Sequence, residues 1–195
     1  MAYKKLKKTK EKLRPCLYED EIELILKAAE KTRYPLRNKL LMMLTYNHGF
    51  RSSEACNLKW GDIDFSRNTI QANRLKNGVN FIHDLLPIEK ELLLEFYGEG
   101  KDKNDPVFST ERGKPFNRYA YYFLIQSINQ HLNIDTWFDV RGFRHGKGVF
   151  LREKGVSMET IRDYLGHKHM SSTEIYTRMA KNPFFKNINE GSIFA

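Results

Sequence analysis

The chain has 195 residues, 41% hydrophobic and 29% charged, with a net charge of +9 and two cysteines. That is one domain's worth of sequence, long enough to bury its own core without a staple. Cys16 and Cys56 are too few and too far apart for a disulfide framework or a paired-cysteine zinc site, and no apolar run approaches the ~18 residues of a membrane span. Collagen, secreted mini-protein and membrane protein are thereby excluded, and a reducing, cytoplasmic setting is expected.

The elements follow in chain order. Residues 1–14 carry seven basic side chains against Glu11 and read as a basic, disordered tail. A helix is expected from near Asp20, where Asp20 and Glu23 have capping-box spacing and Ile22, Ile25, Leu26 and Ala29 form a stripe. A second spans 35–48 and stops at Gly49, and a short third covers 53–58. Residues 62–65, 69–75 and 80–86 read as three antiparallel strands, with Asn77-Gly78 as a tight hairpin turn before Pro87. Helix returns over 88–97. Asn117 then caps a helix with Tyr121, Leu124, Ile125, Ile128 and Leu132 on one face. Asp139 caps the next, which ends at Gly155. Ser157 caps another ending at Gly166, and Ser171 with Glu174 forms a capping box for the last. The fold class is α+β, mainly helical with a small three-stranded antiparallel sheet.

Charge is uneven along this order. Residues 15–140 are nearly neutral, whereas 141–186 carry ten basic and four acidic side chains, a net +6 that matches the tail. Positive charge at both ends points to a polyanion partner, nucleic acid or an anionic membrane. Phosphodiester chemistry needs fixed, bidentate cations, a proton donor for the leaving alkoxide and an in-line nucleophile. No acidic two-metal cluster stands out, because Asp62 and Asp64 alternate with Ile63 and Phe65 and read as surface carboxylates. His167 and His169 lack a third ligand nearby, so no metal and no cofactor is expected.

Four stretches carry a resemblance. Gly49 to Asp64 reads G-F-R-S-S-E-A-C-N-L-K-W-G-D-I-D and resembles the first arginine box of tyrosine recombinases. R-L-K-N-G at 74–78 resembles their β-hairpin lysine, and R-G-F-R-H at 141–145 sits where the family has H-x-x-R. L-G-H-K-H-M-S-S-T-E-I-Y-T at 165–177 is similar to the family's histidine followed by its nucleophile. The order and spacing hold across residues 17–180. The words H-G-F-R-S-S-E, R-L-K and D-Y-L-G-H are closest to the small fimbrial phase-variation invertases, which are little more than a catalytic domain. Arg51 comes too early for the separate core-binding domain of typical integrases.

The resemblance implies a tyrosine recombinase catalytic fold over 15–180 and a division of roles. Tyr176 attacks the scissile phosphate to form a 3′-phosphotyrosine. Arg51 and Arg144 clamp the non-bridging oxygens, Lys76 protonates the leaving 5′ oxygen, and His167 hydrogen-bonds the phosphate. Glu54 orients Arg51. Lys76, Lys147, Lys168 and Arg178 are the candidate DNA contacts. The implied partner is double-stranded DNA with inverted repeats, bound as a homo-tetramer with DNA-bending accessory proteins, in the nucleoid and without a membrane. Residues 181–195, with Pro183, Phe184, Phe185, Ile188, Ile193 and Phe194, form a tail exchanged between subunits.

One position departs from the pattern. Arg141 replaces the family's histidine three residues before Arg144, and a guanidinium cannot accept the Tyr176 proton. It can still bind phosphate and make the phenol more acidic. His145 points about 100° away from Arg144 around the helix and reads as structural. Two alternatives stay open: a DNA-binding regulator with a crippled site, and a type IB topoisomerase-like relaxation enzyme.

Overall fold

The computed structural model describes residues 16–72, 80–98, 101–132 and 138–179. Eight helices are found among them: α1 (Glu19–Ala29), α2 (Pro35–Asn47), α3 (Ser52–Cys56), α4 (Pro87–Tyr97), α5 (Arg118–His131), α6 (Val140–Glu153), α7 (Met158–Leu165) and α8 (Ser171–Met179). A 3₁₀ turn over Trp60–Asp62 leads into the sheet, β1 (Ile63–Asp64), β2 (Thr69–Ala72) and β3 (Phe81–Asp84). The strands are antiparallel in the order β1-β2-β3, with Ile63 opposite Ile70 and Ile70 opposite His83. No helix among the described residues is long and apolar enough to cross a membrane.

α2 is the axis of the fold. Leu40, Leu41, Met42, Leu44 and Tyr46 are buried on several of its faces, because α1, α3, α4 and α6 all pack on it. A helix buried all round needs an apolar sequence all round, and L-L-M-M-L supplies it. Ile25, Phe50, Ile70, Leu93, Phe108, Tyr121, Ile125, Phe138 and Phe143 complete one continuous core. A second, smaller cluster lies under the last three helices and consists of Cys16, Val149, Ile161, Leu165 and Tyr176.

Several ends follow the sequence. Asn117 accepts from the N–H groups of Tyr119 and Ala120, Asp139 from that of Arg141, and Ser157 from that of Thr160. Two caps differ. α1 starts one residue before Asp20, and Glu21 reaches back to the Tyr18 N–H at 3.0 Å, so Glu23 has no capping part. Ser171 lies inside α8, whose first turn closes on the Met170 carbonyl. β1 and β3 are shorter than the expected 62–65 and 80–86, and residues 73–75 of the expected second strand lie outside the described residues. Asp64 ends β1 by accepting from both the N–H and the hydroxyl of Ser66 and from the N–H of Arg67, which turns the chain at Asn68 (φ +54°). The Asn77-Gly78 turn and Lys76 fall outside the described residues.

Candidate active site

The site is assembled where the end of α2, the end of α7 and α8 meet α6. Arg144 is only 6% exposed. Its guanidinium donates through Nη1 to the Gly49 carbonyl (2.5 Å) and through Nη2 to the Leu165 carbonyl (2.7 Å). Both acceptors are orphan carbonyls beyond or at helix ends, where the macrodipole favours a cation. Gly49 has φ +59° and a Cβ there would run into the Leu165 side chain, so glycine is required twice over.

The residues beside those two carbonyls are themselves tied together. Tyr164 donates its hydroxyl to the Asn47 carbonyl (2.5 Å). His48 and Asn47 bind the two oxygens of Glu89 at 3.2 and 2.8 Å, and the Leu86 N–H adds a third donor at 2.9 Å. Burial alone would push the Glu89 carboxyl up, but His48, the Asn47 amide and the Leu86 N–H hold it below the ordinary glutamate value. His83 of β3 stacks on Tyr164 with ring centroids 4.0 Å apart, and its Nδ1 lies 3.3 Å from His48 Nδ1. One proton must sit between that pair.

Arg51 caps α3 from the other side and is an open cation of the site, its side chain 43% exposed. Glu54, nearly buried, accepts from the Arg51 N–H at 2.8 Å and from Nη1 at 2.6 Å, so one carboxylate fixes backbone and guanidinium together.

Tyr176 of α8 is fully buried, and its ring lies flat on α6. A Cβ added at Gly148 would stand 2.5 Å from Tyr176 Cζ, so only glycine admits the ring. The His167 ring stacks on it at 6.2 Å and 15°, held through its Nδ1 by the Thr173 hydroxyl at 2.8 Å. The His145 ring approaches to 5.8 Å at 55°. The Tyr176 hydroxyl makes no hydrogen bond of good geometry among the described residues. Burial raises its pKa, and Arg144 and Arg51 oppose that rise without cancelling it, so the resting side chain is a neutral phenol.

Of the residues singled out in the sequence, Arg51, Arg144, His167 and Tyr176 come together here. Arg141 does not join them. It is exposed and bound to Asp139 through Nε and Nη2 at 3.0 and 2.7 Å. Lys147 is half-buried, with Nζ over the rings of Tyr46, Phe150 and Tyr164 at 5.4, 4.9 and 5.9 Å. Lys168, between α7 and α8, and Arg178, in the last turn of α8, are exposed. Thr173 and Gly148 were not foreseen, although Thr173 precedes Tyr176 by three residues on one helix face. His145, expected to point elsewhere, borders the Tyr176 ring. No group of three or more histidines, cysteines and carboxylates placed to hold a metal is present among the described residues.

The chain that carries this geometry has known relatives. The phage integrase family profile matches residues 15–182. The type 1 fimbriae regulatory protein FimB of Escherichia coli K12 is 32% identical over 182 residues, covering 91% of each chain. FimE of the same strain is 31% identical over 80% of this chain and 82% of its own. Among solved structures, the XerA recombinase superposes with a TM-score of 0.76 at 19% identity, over 92% of this chain and 66% of that one. The fold is therefore that of a tyrosine recombinase catalytic domain. The chain belongs to the phage integrase family.

Proposed function

We propose that this recombinase cleaves and rejoins double-stranded DNA at short inverted repeats through a 3′-phosphotyrosine on Tyr176, inverting the segment between them as a phase switch. The observation that carries the reading is the convergence of Arg51, Arg144 and His167 on Tyr176. Similarity to FimB over 91% of both chains supports a fimbrial-type switch.

The chemistry follows from charge. Attack spreads negative charge over the non-bridging oxygens, and Arg51 is open to receive them while Arg144 supplies fixed positive charge behind. His167 adds a hydrogen bond, and Lys76 gives the leaving 5′ oxygen its proton. The phosphodiester energy is kept in the tyrosyl ester, so no cofactor is consumed. Arg141, exposed on Asp139, is available to DNA phosphate rather than to the phenol. Lys147, Lys168, Arg178 and the basic tail 1–14 contribute salt-sensitive backbone affinity. Residues 15–180 form the catalytic unit, and residues 181–195 dock on a neighbour within a DNA-bound tetramer, aided by DNA-bending proteins, in the cytoplasm at the nucleoid.

The test is covalent trapping. The protein is incubated with nicked duplex fragments from the DNA flanking its own gene, beside Tyr176→Phe and Arg141→His, and adducts are resolved on a denaturing gel. An adduct absent from Tyr176→Phe, with inversion of a marked segment between the repeats, supports the reading. DNA binding without any adduct would favour a binding-only regulator. Relaxation of an arbitrary supercoiled plasmid without site preference would favour the topoisomerase-like activity.

A further inference from the structure

A neutral, buried phenol cannot attack phosphorus until a group takes its proton, and the position where the family carries a histidine holds Arg141. Arg141 stays protonated, its pKa raised by the hydrogen bond and charge of Asp139, and it lies exposed. The acceptor must come from elsewhere. Two rings border Tyr176. His167 stacks almost parallel to it, and its Nδ1 is engaged by Thr173, so the phenol meets its face.

His145 is placed differently. Its ring is inclined to that of Tyr176, 5.8 Å away. Its Nδ1 is buried without a hydrogen bond, and the Tyr176 hydroxyl, approached by the Arg144 guanidinium, makes none of good geometry. Of the five such atoms among the described residues, these two lie on neighbouring rings, where each can answer the other's cost. The helix explains the juxtaposition. Around α6, Gly148 lies about 40° from Arg144 and about 60° from His145, at 100° per residue. A ring resting on Gly148 therefore has the guanidinium on one flank and the imidazole on the other. The charged groups facing His145 are Arg144 and Arg141 from its own helix and Asp139 at that helix's cap. Burial lowers its pKa most, the two arginines lower it further, and Asp139 opposes them. The imidazole is thus neutral near pH 7, with a lone pair to give.

We propose that His145 is the proton acceptor for Tyr176, standing in for the histidine that Arg141 has replaced. This rests on Tyr176 being the nucleophile. In cleavage the phenol O–H bond breaks and its proton passes to an imidazole nitrogen of His145. The Tyr176 Oη–phosphorus bond forms as the phosphorus–O5′ bond breaks, and Lys76 protonates the O5′. In rejoining, the imidazolium returns the proton to Tyr176 as the phenolate leaves. The two rings must reorient on DNA binding to make that hydrogen bond, as catalytic hydrogen bonds often tighten only in the substrate complex.

The experiment is the single-turnover rate of adduct formation against pH, on a nicked fragment that the wild type cleaves. The expected wild-type rate rises with pH and levels off below the ordinary imidazole range. His145→Gln is expected to bind the same fragment with unchanged affinity and react about 10²–10⁴-fold more slowly at pH 7. Its rate should keep climbing as hydroxide takes over. Added imidazole should rescue His145→Gly, and Arg141→His should restore part of the rate to His145→Gln. Wild-type rate and profile in His145→Gln would overturn the proposal. So would a slow rate with an unchanged profile and no imidazole rescue, the mark of a purely structural side chain. An adduct that persists in Tyr176→Phe would overturn the nucleophile assignment, and the proposal with it.

Discussion

The two hydrophobic clusters hold their polar groups differently. In the large one, built by α1 to α5, the sheet and the first half of α6, the buried carboxylate and the central tyrosine are paired: Tyr121 donates to Thr45 at 2.9 Å, and Glu89 receives three donors. Its unpaired atoms, the Tyr46 hydroxyl and the Trp60 indole N–H, stand apart from one another in the cluster. In the small one, under the second half of α6, α7 and α8, the Tyr176 hydroxyl lacks a well-formed hydrogen bond beside a His145 ring whose Nδ1 also lacks one. Two unmet demands on neighbouring titratable rings mark a place where a ligand or a reaction can meet them. Arg144 straddles the boundary, one amino group on Gly49 and the other on Leu165.

The sharpest way to break this contrast is within the scaffold. Glu89→Ala removes the anion from a fully buried site and strands His48, Asn47 and the Leu86 N–H, so it should cost about 3–5 kcal/mol in urea unfolding. Glu89→Gln adds a pH signature. The carboxyl is more acidic folded than unfolded, so its contribution is full above the ordinary glutamate value and disappears as pH falls through the folded one. The wild-type advantage over Glu89→Gln should therefore shrink in acid. At the boundary, Arg144→Lys keeps a charge but cannot span two carbonyls, and adduct formation should fall by about 10²–10³-fold.

Much of this was legible in the sequence, and the divide is physical. Asn117, Asp139 and Ser157 could be read because a cap is settled within four residues of itself. The motif spacing likewise identified Arg51, Arg144, His167 and Tyr176, which the folded chain brings together. Gly148, Thr173 and the setting of His145 were not legible, because they depend on how α8 crosses α6. Counting 100° per residue correctly separates His145 from Arg144, yet one aromatic ring is wide enough to touch both sides of Gly148. Likewise, nothing local in N-H-G-F or Y-L-G-H says that Arg144 will be held by carbonyls 95 and 21 residues away. The scaffold ties of His48 and His83 are equally non-local.

A smaller effect is expected where α8 rests on α6. Gly148→Ala gains up to about 1 kcal/mol of helix propensity. It also forces its methyl group into the Tyr176 ring, an overpacking worth about 1–3 kcal/mol. Because the second cluster is the smaller of the two, that strain should be released locally. Hydrogen exchange should speed up in Ser171–Met179 and stay unchanged in Pro35–Asn47. Equal acceleration in both helices would mean that the clusters open as one.

The finest test compares two fully buried tyrosines by the same substitution. Tyr121→Phe removes a hydroxyl that donates to Thr45, so it should destabilise the protein by about 1 kcal/mol. Tyr176→Phe removes a hydroxyl that makes no hydrogen bond of good geometry and is approached only by an Arg144 guanidinium already bound to two carbonyls, so stability should hold or rise by about 1 kcal/mol. The same change should abolish adduct formation. A nucleophile kept desolvated at the expense of stability is the trade expected of a site built for the transition state rather than for rest. Parallel urea titrations of the two variants decide it by sign: destabilisation in both would show that Tyr176 has a partner in solution.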